Sequence, residues 1–129
     1  MQVATGAKPQ DTAGVWVKYE GDVEFKVARA GNSVFLAVSD RIEKPFRRKA
    51  QKGELSTEQT IDNMCQAMAE GLLMDWKGLS TEDGKEFKHS RENAFLLLRH
   101  NPEIREFVAE AAANAEAFRQ ATVEEDAKK

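Results

Sequence analysis

The sequence predicts a single α+β domain, mainly helical, in which an N-terminal β-hairpin is followed by about four α-helices. Three observations support this fold class. Residues 14–30 alternate between apolar and polar side chains, as strands with one buried face do. Later segments repeat apolar residues at the three- and four-residue spacing of amphipathic helices. The chain has 129 residues, of which 41% are hydrophobic and 32% charged, so one domain with its own core is expected.

Three parts are expected along the chain: a flexible N-terminal arm over residues 1–13, the α+β domain over residues 14–121, and a charged C-terminal tail over residues 122–129. The first residues lack the apolar run of a signal peptide, and no stretch has the roughly 20 apolar residues of a transmembrane helix. The lone cysteine, Cys65, fits a reducing compartment. We therefore expect a cytoplasmic protein.

The predicted hairpin has one apolar face, and Glu20-Gly21-Asp22 supplies its turn. Six side chains from the two strands share that face: Val15, Val17, Tyr19, Val23, Phe25 and Val27. Because a two-stranded hairpin alone is marginal in water, it must dock on helices or join strands of another subunit.

The first helix is predicted to begin with Asn32 or Ser33 as its N-cap. Its apolar spacing is interrupted at Pro45, so a stop or kink is expected near Lys44.

The second helix has the clearest amphipathic pattern, opening with a capping box at Ser56 to Gln59 and running to Trp76. Its apolar stripe is rich in methionine, which is more often core than an adaptable binding groove. Cys65 lies on the same stripe and is interpreted as a small buried hydrophobic residue rather than a reactive thiol.

The connection from Asp75 to Ser90 is predicted to be a structural joint. Asp83-Gly84 is a strong turn signal, because both residues tolerate positive φ. Trp76 and Phe87 are expected to seal the contact between the second helix and the C-terminal helices. The structural joint residues are therefore Trp76, Asp83, Gly84 and Phe87.

Two further helices are predicted beyond this joint. Ser90 is expected to cap the first of them, and Asn101-Pro102 ends it and begins the last.

The sequence offers little for catalysis. Neither His89 nor His100 stands in a metal-ligand spacing with Cys65, and no phosphate-binding glycine loop or serine nucleophile motif occurs. We therefore expect a protein that is not an enzyme and that uses no metal or cofactor.

Charge is unevenly distributed along the chain. Residues 41–52 contain six basic residues against one acidic residue, and residues 103–126 contain seven acidic residues against two basic ones. Ordinary solvated helix faces explain such segments. A sharper hypothesis is that the two segments are complementary patches that bring subunits or partners together.

Several short stretches, in their order and spacing, resemble the tail assembly chaperones of long-tailed bacteriophages (siphophages) in their short form. The matching stretches are GVWVKYEGDVEFKVA, Gly31-Asn32-Ser33, Lys44-Pro45-Phe46-Arg47, Asp75-Trp76-Lys77-Gly78, Asp83-Gly84-Lys85, Ser90 to Asn93 with the following leucine run, the Asn-Pro-Glu helix start, and Ala-x-Ala-Phe ending at Phe118.

The resemblance implies a non-catalytic role in the host cytoplasm. Such chaperones bind the tape-measure protein, keep it soluble while the tail tube protein polymerises around it, and are absent from the mature virion. Related members self-associate, and many have a longer form made by ribosomal frameshifting. The residues proposed for partner binding or self-association are Arg41, Lys44, Phe46, Arg47, Arg48 and Lys49.

Two alternatives belong to other classes of protein. A phage head–tail connector or tail completion subunit would be found in purified virions. A nucleic-acid-binding regulator would use the basic segment and shift DNA in a salt-dependent way. The chain carries a formal net charge of -3, so we expect no nucleic acid partner, and we expect no membrane partner.

Overall fold

The structure is a computed structural model that describes residues 13–127, with side chains described for residues 13–117 and Arg119. Residues 1–12 of the expected N-terminal arm and residues 128 and 129 of the expected tail lie outside the described residues.

The α+β class is confirmed: the described residues begin with a β-hairpin and are otherwise mainly helical. The elements in order are β1 (Val15–Glu20), β2 (Val23–Val27), α1 (Ser33–Glu43), a short 3-10 turn (Lys44–Phe46), α2 (Arg47–Gln51), α3 (Thr57–Gly71), β3 (Leu73–Lys77), α4 (Arg91–His100) and α5 (Pro102–Ala127).

Within residues 13–127 the sheet has three antiparallel strands in the order β1-β2-β3, and its third strand corrects one expectation. The sequence predicts that the second helix runs to Trp76, but α3 ends at Gly71 and Leu73–Lys77 pairs with β2. A register shift places both Leu73 and Trp76 opposite core residues of β2. This irregularity gives the strand a three-residue apolar spacing, which imitates a helix in the sequence.

The hairpin docks within its own chain, as one of the two predicted arrangements requires. Phe25 and Val27 are buried, whereas Val15, at the start of β1, is 53% exposed. Tyr19 makes an edge contact with Phe107 of α5, with ring centroids 5.0 Å apart. The strand β3 and the helix α5 therefore supply the apolar surface that an isolated hairpin lacks.

The predicted N-caps are present. The side-chain oxygens of Asn32, Ser56 and Ser90 accept hydrogen bonds from backbone N–H groups three residues later, at 2.8, 3.1 and 3.0 Å. Each bond satisfies a donor that has no partner inside its helix.

The start of α1 is tied to the end of α3. Asn32 is fully buried, and its Nδ2 donates to the carbonyl oxygens of Arg29 at 2.7 Å and Gly71 at 3.0 Å. A Cβ atom on Gly71 would lie 2.6 Å from Cα of Phe35, so the two helices approach at a distance that a larger residue does not allow.

The core lies between the sheet and the helices α3, α4 and α5. Cys65 is completely buried, which confirms its interpretation as a hydrophobic residue. The methionines of the predicted stripe are divided: Met68 is 2% exposed and in the core, whereas Met64 is 42% and Met74 37% exposed. Within residues 13–127, no helix is long and apolar enough to cross a membrane.

Candidate functional site

The helices α1 and α2 and the 3-10 turn between them form a bent segment, residues 33–51, which we name the elbow. Pro45 has no N–H and clashes with a continuing helix, so α1 ends at Glu43 and the stop predicted near Lys44 is confirmed. No residue of the elbow is buried, although α1 packs on α3. Two of its apolar side chains, Val34 and Leu36, are exposed at the surface.

On one side of the elbow lies an open cavity of about 720 Å³, which we name groove A. Its walls come from the end of α1, the 3-10 turn, α3 and α4. Most of its lining is apolar: Ile42, Pro45, Phe46, Ala69, Phe95 and Leu96.

A carboxylate joins the helices that line groove A. Glu70, whose side chain is 12% exposed, pairs with Arg41 at 2.7 Å and with Arg91 at 3.0 Å. One carboxylate thus holds guanidinium groups from α1 and α4, both of which line the groove. Because the two arginines are largely exposed, these pairs position the walls more than they stabilise the fold.

On the other side of the elbow lies groove B, a cavity of about 540 Å³. It is bounded by α1, α2 and the first half of α3. Phe46 lines both grooves, and the exposed Met64 lines groove B. The floor is polar at Asn63, which is 7% exposed and accepts a hydrogen bond from Nε2 of Gln59 at 2.9 Å.

The residues predicted for partner binding all lie in the elbow, but their environments differ. Arg41 pairs with Glu70, and Arg47 pairs with Asp40. The other three cations of the predicted set are exposed and have no ion-pair partner among the described side chains: Lys44, Arg48 and Lys49. Phe46 is half-buried between the two grooves.

The acidic segment on α5 is also divided. Glu116 pairs with Arg29 at 2.7 Å and accepts from the Gly31 N–H at 3.1 Å, so it serves the fold. Glu103, Glu106 and Glu110 are exposed, and their three- and four-residue spacing places them on one face of the helix.

The predicted joint residues are in contact or close in the chain. The rings of Trp76 and Phe87 are stacked with centroids 5.5 Å apart, and Nε1 of Trp76 donates to the carbonyl oxygen of Phe87 at 2.6 Å. Trp76 lies on β3 rather than at a helix end. Asp83 and Gly84 lie in the following turn. Gly84 has a φ of 83°, and its N–H donates to the carbonyl oxygen of Thr81.

His89 is half-buried and packs against this joint. Its ring lies 4.9 Å from Trp76 in an edge contact, and its Nε2 is 3.1 Å from the carbonyl oxygen of Leu73. Among residues 13–127, no group of three or more His, Cys, Asp or Glu side chains is arranged to hold a metal ion.

Burial also affects the one thiol. Desolvation raises the pKa of Cys65, and a contact from Nη1 of Arg105, 3.9 Å from Sγ, partly opposes the shift. The thiolate is therefore disfavoured in the folded protein, as expected for an unreactive buried cysteine.

Three residues of the candidate site were not predicted from the sequence: Glu70, Leu96 and Met64. One signal was present for Leu96: it begins a run of three leucines, which cannot all face the same side of a helix. Leu97 and Leu98 are buried, whereas Leu96 is 46% exposed.

Comparison with known proteins places the chain among proteins of phage origin. Residues 30–129 match the YdaY prophage protein family, so the chain belongs to that family. The matched range begins at Ala30 and therefore contains both grooves, whereas the β1-β2 hairpin precedes it. No curated protein and no solved structure matches the chain.

Proposed function

We propose that this protein is a phage tail assembly chaperone that binds the tape-measure protein without catalysing a reaction. Groove A is the observation that carries the proposal. It presents an apolar lining in which Leu96 is 46% exposed and Phe46 half-buried. Membership of a prophage protein family supports a role in the phage cycle.

A long helical client needs temporary cover for its apolar faces before tail tube subunits enclose it. An open groove between helices can give that cover, because an amphipathic helix can lay its apolar face into it. In this proposal the complex forms in the host cytoplasm, hands the client to the tail tube protein, and leaves no chaperone in the mature virion.

The proposal includes self-association of the chaperone. The exposed cations Arg48 and Lys49 lie on α2, and the acidic face of α5 carries Glu103, Glu106 and Glu110. Because the two surfaces differ, contact between them in neighbouring copies would be head-to-tail and would build a ring or an open spiral.

The test is co-expression with the tape-measure protein encoded by the same prophage. We expect the client to be soluble and to co-purify with the chaperone, and to be insoluble when expressed alone. A client that stays insoluble would contradict the proposal. Mass spectrometry of purified virions distinguishes a chaperone from a phage structural protein. A head–tail connector or tail completion subunit would be present in virions at a fixed ratio to the tail proteins.

A further inference from the structure

We propose that groove A receives an amphipathic α-helix of the client, with a large apolar side chain inserted against Phe46, Phe95 and Leu96. The same helix turns an acidic flank towards the elbow. This inference rests on the proposed function for the identity of the partner, but the chemistry of the groove defines the occupant by itself.

The lining of groove A favours a helix over an extended segment. All of its walls come from helices and the 3-10 turn, so the lining offers no open strand edge. An extended peptide would bring unpaired N–H and C=O groups against Phe46, Phe95 and Leu96, at a cost in desolvation. A helix satisfies its own backbone and presents only side chains, so it can bury apolar surface there without that cost.

The size of groove A fits the insertion of side chains. Its volume of about 720 Å³ lies within the range of roughly 300–1,000 Å³ that is typical of binding pockets. Phe46 and Phe95 give two aromatic surfaces from opposite walls, the elbow and α4. Aromatic residues at the centre of an interface commonly contribute most of its binding free energy.

Charge determines which flank of the helix faces the elbow. The charged residues that line groove A cancel, because Arg41 and Arg91 are balanced by Glu70 and Glu92. The positive excess lies on the elbow, where Lys44 directly precedes the lining residues Pro45 and Phe46 and has no ion-pair partner among the described side chains.

The opposite wall carries Glu92, which repels a carboxylate. A bound helix is therefore stabilised when its acidic residues face the elbow and its other flank faces α4.

The binding test uses two fluorescein-labelled peptides of about 20 residues, long enough to have helical character in water. Both carry leucines on one helical face. The acidic probe has glutamates along one flank, and the basic probe has lysines at the same positions. Fluorescence anisotropy with the full-length protein gives the Kd of each probe.

Two leucines of similar exposure provide a matched pair of variants. Leu96 lines groove A and is 46% exposed, whereas Leu36 lies on α1, is 57% exposed and lines neither groove. Leu96→Gln should raise the Kd of the acidic probe about three- to tenfold, because the half of the leucine side chain that is exposed would lose its apolar contact with the probe. Leu36→Gln should leave its Kd unchanged, and both variants should keep the helical circular dichroism of the wild type.

The substitution Lys44→Glu tests whether the acidic flank of the bound helix faces the elbow. The wild type should bind the acidic probe more tightly than the basic one, and the substitution should reduce this preference about two- to fivefold. Equal affinity for the two probes, or no effect of Leu96→Gln, would overturn the proposal. It would also fail if dimerisation of the wild type displaced the acidic probe, since a second copy would then occupy the groove.

Failure of this inference can be distinguished from failure of the proposed function. If the wild type and Leu96→Gln solubilise the tape-measure protein equally, the chaperone function stands and the client binds elsewhere. If the acidic probe binds as expected but the tape-measure protein stays insoluble, groove A takes a helix from another partner.

Discussion

Replacing Trp76 with alanine tests whether the Asp75 to Ser90 connection is a structural joint. The side chain is 6% exposed, is stacked on Phe87 with an interplanar angle of 9°, and donates a hydrogen bond to the Phe87 carbonyl. It also pairs with Phe25 across the sheet and contacts His89. The substitution would remove all of these contacts at once.

The expected cost follows from these contacts. Truncating a buried tryptophan to alanine lowers the free energy of unfolding by about 3–5 kcal/mol. Because the stacking on Phe87 and the hydrogen bond are lost as well, we expect a value in the middle of that range. For a chain of 129 residues the entropy of unfolding is about 0.27 kcal/mol per kelvin, so a loss of about 4 kcal/mol lowers Tm by about 15 °C.

The assay is urea unfolding followed by far-ultraviolet circular dichroism, with the denaturant slope checked for constancy. Trp16→Ala is the matched control, because Trp16 is 39% exposed on the outer face of the sheet beneath Lys77 and should cost roughly 1 kcal/mol. If Trp76→Ala is no less stable than Trp16→Ala, the reasoning is refuted. Full stability with loss of client binding would identify the connection as a binding surface.

Three other predictions concern assembly, packing and pH. Reversing Arg48 and Lys49 to glutamate should abolish higher-order species in light scattering at low salt, and an unchanged oligomer size would contradict self-association through the elbow. Gly71→Ala should destabilise the fold by about 1–3 kcal/mol in urea unfolding, because the new Cβ would meet the backbone of Phe35 at 2.6 Å. Burial raises the pKa of Cys65 above its ordinary value of 9.0, so its contribution to stability is complete below pH 9.0 and is lost as the pH rises through the folded pKa. The urea midpoint should therefore fall more above pH 9.0 in the wild type than in Cys65→Ala, and parallel pH profiles would count against this assignment.

Local rules were enough to predict where most elements begin and end. Asn32, Ser56 and Ser90 cap helices because their side-chain oxygens reach N–H groups within the same turn, and Pro45 ends α1 because it lacks a donor. These effects involve neighbours in the chain, so the sequence contains them completely.

The strand β3 could not be predicted in the same way. Leu73 and Trp76 have a spacing that suits a helix, and the edge of β2 that pairs with them is formed by residues far away in the chain. A local preference for helix was overridden by pairing with an existing strand, because that pairing buries Leu73 and Trp76 against the core.

The candidate site was predicted in part. The elbow was identified by its cations and by Phe46, but α4 contributes the other wall of groove A through Phe95 and Leu96. Charge counting treated the basic and acidic segments as uniform. In the fold, Arg41 of the basic segment pairs with Glu70, and Glu116 of the acidic segment pairs with Arg29.

By itself the sequence determined the α+β class, the order of the hairpin and helices, the caps and the break at Pro45, because these depend on residue type and local spacing. The tertiary structure decided that Leu73–Lys77 is a strand, that Trp76 stacks on Phe87, and that the elbow and α4 enclose a groove around Phe46. Each of these features joins residues distant in the chain, and the free energy of such contacts comes from burial that exists only after the elements have packed.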